Sequence, residues 1–154
     1  MADNDGSIQG APWPLPKFYF SVEVAGIGTM GFQAVEGLSA EVSLIEYRHS
    51  NSPEFSKIKM PGMKTYSNVT LKKGVFVGDS DFFDWFNSIN MNTVQRKTVI
   101  IKLLDETGDP AMTWTLRNAF PVKYEPSELN SQEDGEPALE SIEIAHEGFT
   151  LVKK

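Results

Sequence analysis

The sequence predicts a mainly β protein, an antiparallel β-sandwich or barrel-like fold with one short α-helix. Several segments alternate apolar and polar residues with the period of two that half-buried strands require. A single short segment carries the i, i+3, i+4, i+7 apolar spacing of an amphipathic helix. Strands and helices do not alternate along the chain, which argues against a parallel βαβ sheet and favours antiparallel sheets packed face to face.

Length and composition predict one folded domain. The chain has 154 residues, which suits one hydrophobic core. Residues 1–16 are rich in Asp, Asn, Gly and Pro, so we expect an extended N-terminal arm there and a single domain over residues 17–154. The arm is either a frayed terminus or a segment that orders against a neighbouring subunit, with Trp13 as its anchor.

The bulk chemistry excludes several classes of function. A net charge of -7 disfavours sequence-specific nucleic-acid binding, which requires clustered Lys and Arg. The absence of cysteine removes disulfides, thiolate metal sites and cysteine nucleophiles. The N-terminus lacks the basic and apolar regions of a signal peptide, and no apolar run approaches the ~20 residues that span a bilayer.

The first half of the chain predicts two or three strands. Residues 17–25 place four apolar side chains on one face: Phe18, Phe20, Val22 and Val24. After a glycine-rich turn, residues 32–47 predict one or two strands that break near Glu36 and Gly37. Residues 48–59 lose the alternation and contain a proline, so we expect a long loop or hairpin tip.

The second half predicts further strands in four segments: 67–77, 98–104, 112–120 and 138–152. Gly74 marks a bulge or bend in the first of them. The turn-forming run 105–110 joins the next two into a hairpin, and residues 125–137 form a polar, acidic loop. The total is about six to eight strands.

The helix is predicted to follow an N-cap at Gly78, Asp79 and Ser80 and to end near Asn90. Its first turn is acidic, as the helix dipole favours, and its apolar stripe comprises Phe82, Trp85, Phe86 and Ile89. A helix this short is not stable on its own, and its apolar stripe must therefore dock on a sheet.

No motif predicts a catalytic, cofactor or metal site. Residues 26–31 match G-x-G-x-x-G, but strand-like sequence follows them where a dinucleotide site needs a helix, so we interpret them as a hairpin turn. His146 and Glu147 begin a zincin-like motif, yet position 150 is Thr. An enzyme would have to place His49 or His146 in a pocket with carboxylates.

A carbohydrate-binding β-sandwich is a competing hypothesis for the function, because aromatic side chains form stacking platforms for sugars. Trp85 falls on the apolar stripe of the helix and Trp114 on the apolar face of a strand. We therefore expect both in the core, which leaves Trp13 as the free tryptophan. The fold class alone does not decide between the alternatives.

Six segments resemble, in order, the tail-tube family of contractile phages and related injection systems: 14–26, 32–50, 58–76, 78–92, 113–130 and 140–152. The most specific stretches are 45–48 (IEYR), 59–62 (KMPG), 69–76 (VTLKKGVF) and 118–121 (NAFP). The sequence is similar in particular to tube subunits of extracellular injection systems of the antifeeding-prophage and virulence-cassette kind. A tail tube of a contractile bacteriophage that conducts DNA is the alternative within this family.

The resemblance implies a non-enzymatic structural subunit that forms homohexameric rings. These rings would stack into a rigid inner tube within a contractile sheath. It also implies a sheath protein, a baseplate or spike adaptor and tube-terminating proteins as partners, with cargo in the lumen. The resemblance also implies where the protein is found. It would be assembled into a particle in the bacterial cytoplasm, and that particle would be extracellular, anchored to a membrane or thylakoid, or a virion tail.

Two sets of residues are assigned roles on this basis. The candidates for contacting the adjacent ring lie in the 48–59 loop: Arg48, His49, Glu54, Lys57 and Lys59. The candidates for facing the lumen alternate with inward-packed residues: Glu41, Ser43, Thr70 and Lys72. The alternatives are an ordinary flexible loop for the first set and plain solvent-facing sheet for the second.

Overall fold

A computed structural model describes residues 15–78, 80–91, 93–132 and 135–153, and these form ten strands and one helix. In chain order the elements are β1 Phe20–Val24, β2 Gly28–Met30, β3 Ala34–Glu36, β4 Ala40–Tyr47, β5 Ile58–Tyr66, β6 Val69–Gly74, α1 Asp81–Asn87, β7 Lys97–Leu104, β8 Pro110–Pro126, β9 Leu139–Ala145 and β10 Phe149–Lys153.

The long strand β8 belongs to two groups of antiparallel strands. Its first part pairs with β7 on one side and with β10 on the other, and β7 continues the sheet through β1 to β2. Its last part pairs with β9, which is followed by β6 and β3. Between the two parts Asn118 has a positive φ of 52°, a conformation that Asn tolerates better than most residues.

The core lies where these two groups of strands and α1 meet. In β6 and β9, every second residue is buried, which is the period of two that one packed face produces. The buried apolar side chains are Val22, Val24, Val69, Leu71, Phe82, Trp85, Val99, Ile101, Leu116, Ala119, Ile142 and Ile144. The predicted inward positions Val22 and Val24 are therefore confirmed, whereas Phe18 precedes β1 and is 81% exposed.

Helix α1 docks on this core through Phe82 and Trp85, as its apolar stripe predicts. The Phe82 ring stacks on Phe32 at 5.4 Å between centroids, and the Trp85 indole N–H donates to the Gln95 carbonyl at 3.0 Å. Ser80 is the N-cap residue, within the predicted run 78–80. Its hydroxyl makes no bond to a backbone N–H and donates instead to the Asp84 carboxylate at 2.9 Å. The helix ends at Asn87, three residues before the predicted Asn90.

A long hairpin runs from β3 and β4 back through β5 and β6. Ala34 lies opposite Lys72 and Ala40 lies opposite Tyr66, so the register is unchanged across the gap between the two pairings. The interruption falls at Gly37, whose φ of 95° suits glycine. This confirms the predicted break near Glu36 and Gly37.

The predicted mainly β, antiparallel fold with one short helix is confirmed for the described residues, in which the sheets do not close into a barrel. The structure has ten strands where about six to eight were predicted. The difference arises because β2 and β5 were not predicted and because the predicted segment 138–152 forms two strands, β9 and β10. β8 also extends past its predicted end through Pro121 to Pro126. Trp13, nearly all of the predicted arm, and Asp79 lie outside the described residues.

Candidate functional site

The hairpin of β4 and β5 carries many of the exposed large apolar side chains of the described residues. Within the described residues the two strands pair with each other and with no other strand. Every residue of β4 is exposed, although five of the eight are apolar. Large exposed apolar side chains on a monomer mark an interaction surface, and here they include Leu44, which is 61% exposed.

The two faces of this hairpin differ along its length. In the half nearer the tip, Ile45 lies opposite Met60 and Tyr47 lies opposite Ile58, so four apolar side chains form one patch. On the same face nearer the body stand the polar residues Glu41 and Ser43. The pairing register shifts between Val42 and Leu44, where β5 supplies an extra residue.

The tip of the hairpin is organised by Arg48. Its guanidinium donates to the Glu54 carbonyl at 2.9 Å and to the Ser52 carbonyl at 3.3 Å, and it lies 5.8 Å from the centroid of the Phe55 ring. The Phe55 side chain is 97% exposed. The predicted hairpin tip is therefore confirmed, and internal hydrogen bonds hold it in one conformation.

The other residues predicted to contact an adjacent ring surround this tip. His49 packs edge-on against Tyr47 at 5.4 Å between centroids, and Lys57 lies 3.5 Å from Glu46. Lys59 stands opposite Glu46 on the ladder. The structure thus brings all five candidates to one end of the hairpin, and their contact with another ring remains a prediction.

The root of the hairpin is fixed to the body by polar and aromatic contacts. The Ser67 hydroxyl donates to the Gly37 carbonyl and lies within hydrogen-bonding distance of the Ser39 hydroxyl, each at 2.6 Å. The His146 Nε2 is 3.0 Å from the Ser67 carbonyl oxygen, and its ring packs on Tyr66. These contacts set the direction in which the hairpin leaves the body.

The four predicted lumen residues lie on the unpacked faces of their strands. Thr70 and Lys72 alternate with the buried positions of β6, and Lys72 Nζ lies 3.3 Å from Glu36 Oε1. Glu41 and Ser43 lie on the opposite face of the hairpin from Tyr66, whose ring contacts Phe149 on the body. Their position in a lumen remains a prediction.

A second apolar surface was not predicted from the sequence. A cleft of about 570 Å³ opens between β1, β7 and the β3 region, and its wall includes Phe18, Phe20, Phe32 and Trp114. Phe18 stands at its edge, and the other three pack partly against the core. The signal available in the sequence was the run of aromatic residues before and within β1.

A buried polar cluster beneath α1 was also missed. Lys73 Nζ lies 2.8 Å from Glu140 Oε1, and the Tyr124 hydroxyl donates to Glu140 Oε2 at 2.7 Å. The hydrogen bond to Glu140 raises the pKa of the Tyr124 hydroxyl above its ordinary value, with burial and the Glu140 charge acting in the same direction and Lys73 opposing them. No local pattern reveals this cluster, because its members come from three different strands.

The motifs considered for chemistry occupy structural positions. Gly26 and Gly28 adopt positive φ in the turn between β1 and β2, which confirms the hairpin-turn interpretation of the G-x-G-x-x-G match. His49 lies at the hairpin tip and His146 at the turn between β9 and β10. Over the described ranges, no three His, Asp or Glu side chains are grouped so that they could hold a metal.

The tryptophans within the described residues belong to the interior, as expected. Trp85 is buried under α1, and Trp114 packs against the core from β8. Trp85 therefore offers no open stacking platform for a sugar, whereas Trp114 is only partly buried and lines the cleft beside β1. A separate observation concerns membranes: among the described residues, no helix has the length and hydropathy needed to cross a bilayer.

The fold combines antiparallel sheets with an exposed β4–β5 hairpin, and comparison with known proteins identifies its class. Residues 16–150 match the family of the T4-like virus tail tube protein gp19. The chain therefore belongs to this tail tube family, which confirms the resemblance predicted from the sequence. A comparison with curated protein sequences finds no match.

Solved structures support the same assignment. The chain is 32% identical to a chain of the PVC sheath–tube complex of an extracellular contractile injection system in its extended state, with a TM-score of 0.84 over 92% of this chain and 93% of that one. It is 30% identical to a chain of the anti-feeding prophage tube-terminating cap, with a TM-score of 0.85 over the full length of both. Hcp1 from Flavobacterium johnsoniae shares the fold at 16% identity, with a TM-score of 0.54 over 89% of this chain and 97% of Hcp1.

Proposed function

We propose that this chain is the structural subunit of the inner tube of a contractile injection apparatus. Subunits form hexameric rings, and the rings stack into a hollow, rigid tube that sheath contraction drives through a target envelope. The observation that carries this proposal is the β4–β5 hairpin, whose apolar side chains have no cover within the described chain. Membership in the tail tube family supports the tube as the assembly that covers them.

Self-assembly also accounts for the free strand edges. In the described part of the chain, the outer edges of β3, β4 and β10 pair with no other strand, and free edges of this kind are prone to pair with another chain. In a ring, each free strand edge lies against the neighbouring subunit. A head-to-tail interface that is repeated by rotation brings the last subunit back to the first and so closes the ring. The upper and lower surfaces then differ, so rings stack in one direction without limit.

The proposed partners follow from the relatives. A sheath protein, a baseplate or spike adaptor and a tube terminator are supported by the sheath–tube, baseplate and cap complexes that contain chains of the same fold. The chain acts as a structural component without an enzymatic role, within a particle that becomes extracellular. Glu41, Ser43, Thr70 and Lys72 line the lumen, where their polar side chains let cargo pass without apolar adhesion.

A phage tail tube is the second candidate, because the matching family takes its description from a T4-like virus. The two candidates differ in what passes through the lumen, DNA in a virion or a protein cargo in an injection particle. Isolation of particles containing this chain and analysis of their contents separates them. Packaged genomic DNA would favour the virion.

The direct test is negative-stain electron microscopy of the purified protein together with its mass in solution. Hexameric rings or stacked tubes are expected. The variant Ile58→Asp places a charge within the apolar patch of the hairpin and is expected to remain a folded monomer. Lys64→Gln, on the same strand and outside that patch, is the matched control and should assemble like the unmodified chain. A wild-type chain that stays monomeric even with its baseplate partners would overturn the proposal.

A further inference from the structure

The strongest unexplained feature of the hairpin is the aromatic side chain at its tip. The Phe55 side chain is 97% exposed, and hydrogen bonds from Arg48 to the backbone carbonyls of Ser52 and Glu54 close the loop that presents it, with the guanidinium 5.8 Å from the centroid of the ring. A loop whose backbone is already ordered loses less conformational entropy on binding, and aromatic anchors contribute most to protein interfaces.

The cleft beside β1 has the chemistry that suits such an anchor. Three of the side chains in its wall are phenylalanines, Trp114 is a fourth aromatic, and its volume is about 570 Å³. Phe18 at its edge is 81% exposed, which leaves apolar surface uncovered there. Among the described residues, the cleft and the hairpin tip are thus two separate apolar surfaces that no other part of the chain covers.

The charges around the two surfaces are complementary. Lys17 and Lys102 line the cleft, and neither forms an ion pair with any described residue. Glu54 precedes Phe55 and uses its backbone in the tip, while its carboxylate makes no ion pair in the described part of the chain. The cleft wall also contains Glu36, which is paired with Lys72, and the tip also contains Arg48, which is hydrogen-bonded to two backbone carbonyls of the tip. The complementarity is therefore local, between the Glu54 carboxylate next to the anchor and the ammonium groups of Lys17 and Lys102.

The two surfaces of one chain cannot meet. The eight residues of β4 carry the tip about 26 Å from the hairpin root, at ~3.3 Å per residue. Glu36 and Leu38, which line the cleft, belong to that root. A contact between tip and cleft must therefore join two copies, and since it uses different surfaces on each, it is head to tail.

We propose that Phe55 of one copy inserts into the Phe18–Trp114 cleft of a second copy in the adjacent ring, with Glu54 facing Lys17 and Lys102 of that copy. This inference rests on the proposed tube function and names the surface that the hairpin tip contacts. It assigns to the cleft the role of receiving the tip.

Disulfide cross-linking tests the contact directly, because the natural chain has no cysteine. Ser56→Cys, next to the anchor, and Gln33→Cys, in the wall of the cleft, are purified separately, mixed under assembly conditions and oxidised, so that Phe55 and Phe18 both stay in place. A covalent heterodimer of the two variants is expected. Ser56→Cys mixed with Val77→Cys is the matched control, since Val77 is fully exposed beside α1, and it should give no heterodimer. Stacked tubes without a 56–33 cross-link would overturn the inference.

Charge reversal gives a second, independent test. Glu54→Lys is expected to reduce the stacked fraction at least tenfold at low ionic strength, and adding Lys17→Glu with Lys102→Glu is expected to restore most of it. Phe55→Ser should leave single rings that do not stack, whereas Phe76→Ser, an exposed phenylalanine outside the hairpin, should stack normally. Normal stacking by Phe55→Ser would refute this contact while leaving the tube function intact. Absence of rings from the unmodified chain would instead refute the tube function.

Discussion

Lys73 and Glu140 stand directly opposite each other on β6 and β9, and their side chains form an ion pair of 2.8 Å with almost no exposure to solvent. Tyr124 donates to the other carboxylate oxygen, and Lys73 Nζ also lies 5.2 Å from the centroid of the Phe82 ring. A charge in the interior is stable when it is paired and its hydrogen bonds are satisfied. The cluster therefore ties α1 to β6, β8 and β9.

Removing one member of this pair should destabilise the fold strongly. Lys73→Met leaves the Glu140 carboxylate buried without its cation, so we expect a loss of about 3–5 kcal/mol in the free energy of unfolding. Urea denaturation of the monomer measures it. Lys73→Met combined with Glu140→Gln removes both charges and keeps an acceptor for Tyr124, so most of the loss should be recovered. Equal losses in the single and double variants would contradict a coupled pair.

Alkaline pH should weaken the fold through Tyr124. Because the folded state raises the pKa of this hydroxyl above the ordinary value of 10.0, its contribution to stability is complete below about pH 10 and is lost as pH rises through the folded-state pKa. Denaturant titrations between pH 9 and 11 should show this decline. Tyr124→Phe lacks the ionisable group, so its decline should be smaller, and an unchanged pH dependence would be evidence against the assignment.

Two adjacent phenylalanines on α1 should respond very differently to truncation. Phe82 is 1% exposed and packs on Phe32, so Phe82→Ala should cost about 3–5 kcal/mol through lost burial and the cavity left behind. Phe83 is 48% exposed and touches Tyr124 edge-on, so Phe83→Ala should cost about 0.5–1.5 kcal/mol. Thermal or urea unfolding measures the free energy of unfolding of both variants. Similar losses in the two variants would mean that α1 docks on the core by another face.

Gly37 should be essential to the attachment of the hairpin. An added Cβ would both adopt an unfavourable positive φ and collide with the Asn68 carbonyl oxygen. Gly28 has a positive φ but open space, so Gly28→Ala should cost about 1–2 kcal/mol and Gly37→Ala more than that. Hydrogen exchange of the β4 and β5 amides should accelerate in Gly37→Ala and stay unchanged in Gly28→Ala.

Sequence patterns predicted those elements whose burial is periodic along the chain. β1, β6, β7 and β9 have one packed face, and the stripe of α1 is a helical one, so local spacing was enough to find them. β5 was missed because Pro61, Gly62 and two lysines interrupt any alternation, and both of its faces lie outside the core. The lost alternation and the proline in residues 48–59 made the tip predictable as a loop, whereas the hydrogen bonds of Arg48 within it were not predictable.

The sequence by itself determined the antiparallel β class, the short docked helix, the glycine break before β4 and the membership in the tail tube family. These features depend on the local periodicity of apolar residues and on the identity and order of residues along the chain. The tertiary structure alone decided that Lys73 and Glu140 pair, that four aromatic side chains from the β1, β3 and β8 regions surround one cleft, and that the hairpin projects with no cover in the described chain. These features join residues distant in sequence, and which distant residues meet depends on strand order and register, which no local pattern specifies.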